Sequence, residues 1–137
     1  MATLVASKVS AGVQPKGMRV GLVAVTSVYS IAASLSTGDV IQMVKVPANA
    51  TPIFMAVSSA GAGACSVNVG DANDTDRFIQ GAALSSSAAP TYLNNAAYVP
   101  YTYSVDDTID LTVSASASFS PGASGSITLV AIFSMDV

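Results

Sequence analysis

The densest run of chemically active side chains is Gly70-Asp71-Ala72-Asn73-Asp74-Thr75-Asp76-Arg77, with three carboxylates inside six positions. Carboxylate oxygens are what a hard cation such as calcium takes, so Asp71, Asp74 and Asp76 are the candidate ligands of a cation loop. The spacing is not that of an EF-hand, and the chain has no Glu to close such a loop bidentately. A simpler reading has Asp71, Asn73 and Asp74 shaping turns through side-chain to backbone hydrogen bonds while Arg77 pairs with Asp76 or Asp74. The frequency of Asp and Asn in turns favours that reading, and no metal is expected.

Other chemistries find less material. Asp71, Asp74, Asp76, Asp106, Asp107 and Asp110 are the available acids for glycoside cleavage, but nothing in the sequence singles out one of them for a raised pKa. With no His, Ser-His-Asp and Cys-His catalysis are excluded. The single Cys65 cannot form an internal disulfide, and its alternation with Val67 and Val69 marks a small core residue on a strand. Gly61-Ala62-Gly63 lacks the Lys and following helix of a phosphate loop and reads as a turn. Tyr92, Tyr98, Tyr101 and Tyr103 are the main aromatic concentration, and there is no Trp to strengthen a sugar-stacking platform. Tyr101 and Tyr103 share strand parity, so they are expected to pack in a core or an interface with their hydroxyls on polar partners. No catalytic residue, cofactor or enzymatic activity is expected.

The 137 residues fit one domain, able to bury a core without disulfides or metals. Only 9% are charged and 51% hydrophobic, too little charge to cover a free surface with well-solvated groups, so much of that surface is expected to meet protein. Lys8, Lys16 and Arg19 precede the first acid, Asp39; beyond them eight Asp stand against Lys45 and Arg77, a net of -6. Three scattered cations without interleaved aromatics do not make a nucleic-acid surface. The charge-free stretch from Val20 to Gly38 is broken by Gly21, Thr26, Ser27, Ser30, Ser34, Ser36 and Thr37, which suits a strand and not a membrane span.

The elements that must position these residues are β throughout. Residues 1 to 18 show little periodicity and are expected to be a flexible or partner-ordered arm, with a β-sandwich over 19 to 137. Arg19 to Tyr29 is apolar on both faces and is a candidate interface strand. Val40 to Val46 follows, with Val40, Gln42, Val44 and Val46 on one face. Pro47-Ala48-Asn49-Ala50 reverses the chain into Ile53 to Val57, Asn tolerating left-handed geometry there. Ala64 to Val69 alternates, Arg77 to Gln80 is brief, and Gly81 to Pro90 reads as a long exposed loop. Tyr98 to Tyr103 is expected as a strand marked by Pro100. Ile109, Leu111 and Val113 alternate with polar residues, and Ser126 to Ser134 closes the set with Ile127, Leu129, Ala131 and Phe133 on one face. About eight short strands imply an all-β sandwich, most simply a jelly roll.

Three segments also carry a resemblance: Val69 to Ile79, Asp106-Asp107-Thr108-Ile109-Asp110-Leu111-Thr112-Val113, and Gly125 to Ile132. Over roughly residues 19 to 135 the chain resembles the small virion proteins that decorate or cement the head of tailed bacteriophages. That resemblance implies a homotrimer on the outer surface of the capsid, assembled in the host bacterial cytoplasm, with the major capsid protein as partner and no nucleic acid or membrane. The candidate contact residues are Lys8 and Lys16 on the arm, Arg19 where it meets the body, and Val23, Val25, Tyr101, Tyr103, Val130 and Ile132 on the body. The alternative from another class is a glycan-binding or appendage module of a phage tail or baseplate, which would display its tyrosines in a groove.

Overall fold

The computed structural model describes residues 2–6, 12, 21–61, 64–85, 89–95, 100–115 and 125–135. Among them are nine strands: β1 (Thr3–Val5), β2 (Gly21–Ile31), β3 (Val40–Val46), β4 (Ala50–Ala60), β5 (Cys65–Gly70), β6 (Ile79–Leu84), β7 (Thr91–Tyr92), β8 (Asp107–Ala115) and β9 (Gly125–Met135). They form two sheets, ordered β1-β3-β8-β5-β6 and β2-β9-β4-β7. The antiparallel pairs β2 with β9, β3 with β8, β4 with β7, and β5 with β6 are nested one inside another. A long ribbon of paired strands has been wrapped so that alternate pairs fall in opposite sheets, which is the eight-stranded jelly roll expected from the strand spacing.

Alternation decides which side of each strand faces the core. Ile127, Leu129, Ala131 and Phe133 of β9 are all buried, as are Cys65, Val67 and Val69 of β5 and Ile109, Leu111 and Val113 of β8. These side chains meet Met55, Val57, Ile41 and Phe78 in one cluster between the sheets. β3 departs from simple alternation. The register shifts between Gln42 and Val44, so Met43 and Val44 are both buried and Val46 joins them. An inserted residue of this kind re-aims the rest of the strand, which is why the face assigned from period two holds only up to Gln42.

Turn chemistry sets the corners. Asn49 has φ of 69°, the left-handed conformation foreseen for the Pro47–Ala50 reversal. Asp39 secures the corner before β3: its Oδ2 accepts the Ser36 amide at 2.9 Å and its Oδ1 the Ala2 amide at 3.1 Å.

Several segments differ from the expectations. β6 runs on to Leu84, with Ala82, Ala83 and Leu84 paired to Val67, Ser66 and Cys65, so the first half of the expected loop is strand. Hydrophobic side chains on a neighbouring strand, invisible to local propensity, recruit it. Residues 100–103 are not a strand; Tyr103 instead exchanges backbone hydrogen bonds with Asn49 and Ala50, and the short β7 pairs β4 in its place. Within residues 1 to 18, Thr3–Val5 pairs in parallel with β3 and Ala6 is buried, so the start of the leader is built into the five-stranded sheet. Residues 7–11, 13–20, 86–88, 96–99 and 116–124 lie outside the described residues. So do Lys8, Lys16, Arg19 and Tyr98.

Candidate functional site

The acidic run after β5 folds into a knot centred on Asp71. This side chain is 1% exposed, and five donors reach it. Oδ1 accepts the amides of Asn73 and Asp74, each at 3.0 Å, and Nη2 of Arg77 at 3.4 Å. Oδ2 accepts Nε of Arg77 at 2.7 Å and the Tyr103 hydroxyl at 3.0 Å. Burial alone would raise the Asp71 pKa; Arg77, the Asn73 amide and the Tyr103 hydroxyl outweigh it and hold the carboxyl below its ordinary range. The Tyr103 phenol is pushed far up by its own burial and by the charge of Asp71. The guanidinium of Arg77 lies 3.8 Å from the centre of the Tyr101 ring, and Tyr101 meets Tyr103 edge-on at 5.0 Å.

The loop reaches this position by passing closely over β5. A Cβ on Gly70 would run into the Asp74 carbonyl oxygen and the backbone of Thr75, so only glycine admits the crossing. On the far side, Asp76 accepts Nε2 of Gln80 at 2.9 Å, and its carbonyl takes Nδ2 of Asn95 at 2.7 Å.

A cation loop is the less favoured of the two sequence readings of this run. Asp71, Asp74 and Asp76 do not converge, and among the described residues no group of three or more His, Cys, Asp or Glu side chains does. Asp71 has spent its oxygens on protein donors, and Asp76 faces Gln80. Turn-shaping is what the run does, with one change of partner: Arg77 pairs at short range with Asp71, while Asp74 stands 4.0 Å away. Tyr101 and Tyr103 pack against the core, but not through strand parity, since residues 100–103 are not a strand; this knot takes them up, and Tyr103, at 1% exposure, is no contact residue. Cys65 is a buried free thiol whose pKa burial raises, in keeping with a core role.

The other notable region is the outer face of the β2-β9-β4-β7 sheet. None of its four strands contains a charged residue. The register lines up Ala24, Ile132 and Phe54 in one cross-strand row and Thr26, Val130, Ala56 and Tyr92 in the next. Leu22 and Val28 extend it along β2, and Phe54 packs on Tyr92 with ring centres 5.8 Å apart. β2 is also an edge strand, eleven residues long, without the charges or proline that usually guard an edge. Val130 and Ile132 therefore lie on the outward face, whereas Val23 and Val25 lie on the opposite, half-buried side of β2. Sequence reasoning marked Arg19 to Tyr29 as an interface strand but singled out Val23 and Val25 on it, not Leu22 and Ala24, and it did not single out Phe54; the two faces of β2 are nearly equally apolar, so period two alone could not rank them.

Among the described residues, Lys45, Asp107 and Asp110 lie on the five-stranded sheet, and Asp39, Asp71, Asp74, Asp76, Arg77 and Asp106 on turns and loops.

No protein-family model matches the chain, and no curated protein matches it. Solved structures do. A chain of the capsid of Ralstonia phage GP4 aligns over 98% of this chain and 99% of its own length, with a TM-score of 0.76 at 14% identity. A chain of the Cyanophage Pam1 capsid asymmetric unit aligns over 90% and 91%, with a TM-score of 0.70 at 15% identity. A chain of the acidic stable capsid of Helicobacter pylori bacteriophage KHP30 aligns over 80% and 86%, with a TM-score of 0.53 at 16% identity. The jelly roll described above is thus a fold this chain shares, nearly end to end, with chains found in bacteriophage capsid structures.

Proposed function

We propose that this chain is a structural virion subunit: a decoration or cement protein that sits as a homotrimer on the outer surface of a bacteriophage capsid and ties neighbouring shell subunits together. The observation that carries this reading is the segregation of charge, with one whole sheet uncharged and its outer face lined by Leu22, Ala24, Val28, Phe54, Val130 and Ile132. Contiguous apolar surface of this kind marks a protein contact. The fold shared with three capsid chains supports a virion location.

The role is adhesive. A trimer that touches several shell subunits resists their separation through multivalent contact even where each contact is weak. The unguarded β2 edge and the face beside it serve the trimer or the shell, the major capsid protein is the partner, and assembly takes place in the host cytoplasm. The basic leader, with Lys8, Lys16 and Arg19, reaches a neighbouring subunit, and the acidic body faces outward. No step of this role needs catalysis, a cofactor or nucleic acid.

The test uses icosahedral shells lacking this protein. Purified chain is expected to co-sediment with them and to raise their survival on heating, whereas a Val130→Lys/Ile132→Lys variant that keeps its β-sheet circular dichroism is expected to do neither. Wild-type protein that leaves the shells bare would overturn the reading. A glycan-binding module predicts exposed tyrosines in a groove, yet Tyr101 and Tyr103 are committed to the Asp71 knot, leaving the Phe54–Tyr92 pair as its main support. Selective retention on a glycan array would favour that module.

A further inference from the structure

Asp110 is the one buried carboxylate with a bare oxygen among the described residues. It stands on the outer face of the five-stranded sheet, opposite Gln42 of β3 and Gly70 of β5, beneath the loop that follows Gly70. The residue is 4% exposed, and its Oδ1 has no hydrogen-bond partner. It lines a recess of about 360 Å³ together with Thr3, Gln42, Asp71, Thr75 and Thr112.

Among the described residues, no charged group close to Asp110 relieves it. Asp107 on its own strand and Asp71 on the loop are both negative, and Arg77 is spent on Asp71. Lys45 of β3 is level with Thr108 and lines a different recess, with Asp106 and Asp107. Burial first, then Asp107 and Asp71, push the Asp110 carboxyl up to about 6, against a hydrogen bond from Thr108 that holds it down. A buried carboxylate left so is costly, and a positively charged donor would relieve it. The surrounding oxygens are hydroxyl and amide oxygens, and Asp71 has none to spare. One available negative charge among neutral acceptors suits a singly charged N–H donor better than a divalent ion, which draws on several carboxylates.

We propose that this recess binds a primary ammonium group, supplied in the particle by a lysine side chain of an adjoining subunit. The lysine source rests on the virion reading given above; the ammonium chemistry does not, so the first experiment uses the isolated chain. Thermal unfolding is followed at about pH 8 in n-butylammonium chloride and, at equal ionic strength, in tetramethylammonium chloride, which has the same charge but no N–H donor. The midpoint is expected to rise with butylammonium concentration relative to tetramethylammonium. The difference is expected to vanish in Asp110→Asn and at about pH 5, where the carboxyl is protonated. Asn has nearly the same shape, and circular dichroism checks that the variant is folded.

Equal midpoints in the two salts, or a difference that persists in Asp110→Asn, would overturn the site. So would calcium chloride giving an Asp110-dependent rise where butylammonium gives none, which would make it a metal site. In the particle, Asp110→Asn is expected to attach to shells about tenfold more weakly than wild type. Equal attachment, with butylammonium binding intact, would overturn the lysine as source and leave a free ammonium ligand. Wild type that does not attach at all would count against the virion reading instead.

Discussion

Asp71 shows how a residue type that suggests chemistry can be used up by structure. A carboxylate that accepts two amides, a guanidinium and a phenol has no lone pair left for a ligand, and its removal leaves each of those donors unsatisfied. Asp71→Ala is expected to destabilise the isolated chain by about 3 kcal/mol or more, because it breaks a buried, hydrogen-bonded ion pair. Tyr103→Phe, which removes one hydrogen bond and keeps the ring, is expected to cost about 1 kcal/mol. Urea unfolding with an unchanged slope measures both, and equal losses would mean that the knot is held by the rings and not by the carboxylate. Asp71 and Asp110 also pull stability in opposite directions with pH. The Asp71 pKa is lowered by folding, so its contribution is present above the ordinary carboxyl range and lost as pH falls through the folded value. The Asp110 pKa is raised to about 6, so folding gains from that group as pH falls toward 4 and loses as pH rises past 6.

At the scale of elements, what could be read from the sequence is what alternation and turn residues encode. β3 from Val40 to Val46, the inward face of β9 and the Asn49 reversal follow from local pattern, because one buried face imposes period two and a left-handed turn restricts residue choice. The doubled burial of Met43 and Val44, the extension of β6 to Leu84 and the docking of Tyr103 on Ala50 depend on the partner strand, and no local window contains it. The candidate site divided along the same line: the turn-shaping role of the acidic run was legible, while the choice of Asp71 over Asp74 and Asp76 as partner of Arg77 required knowing that Tyr103 arrives from 32 positions away. β9, at the centre of its sheet, tests the alternation directly. Phe133→Ala is expected to cost about 4 kcal/mol because it empties a site with no solvent exposure. Val130→Ala, on the outward face, is expected to stay within about 0.5 kcal/mol in dilute chain, where that face is wet. Guanidinium unfolding of both variants at low concentration decides, and a comparable loss at Val130 would mean that its face is already covered in the isolated protein.

Considered whole, the molecule keeps an uncharged sheet on one side, an acidic sheet and loops on the other, and a basic leader that begins beside the acidic sheet. β1 fixes where that leader starts, since Thr3–Val5 is paired to β3 and Ala6 donates to the Gln42 carbonyl at 3.0 Å. Removing the leader outright would therefore uncover the edge of β3 and confuse loss of a contact with loss of a strand. Neutralising its charge avoids this. A Lys8→Ala/Lys16→Ala/Arg19→Ala variant keeps β1 and takes the net charge from -3 to -6. Its thermal midpoint is expected to stay close to wild type, while its attachment to shells weakens and loses much of its dependence on salt, because exposed charge pairs are screened over about 10 Å at 0.1 M ionic strength. Sedimentation with shells across a salt series measures the effect. If the variant attaches as tightly as wild type with the same salt dependence, the uncharged sheet alone makes the contact and the leader serves only to complete the five-stranded sheet through β1.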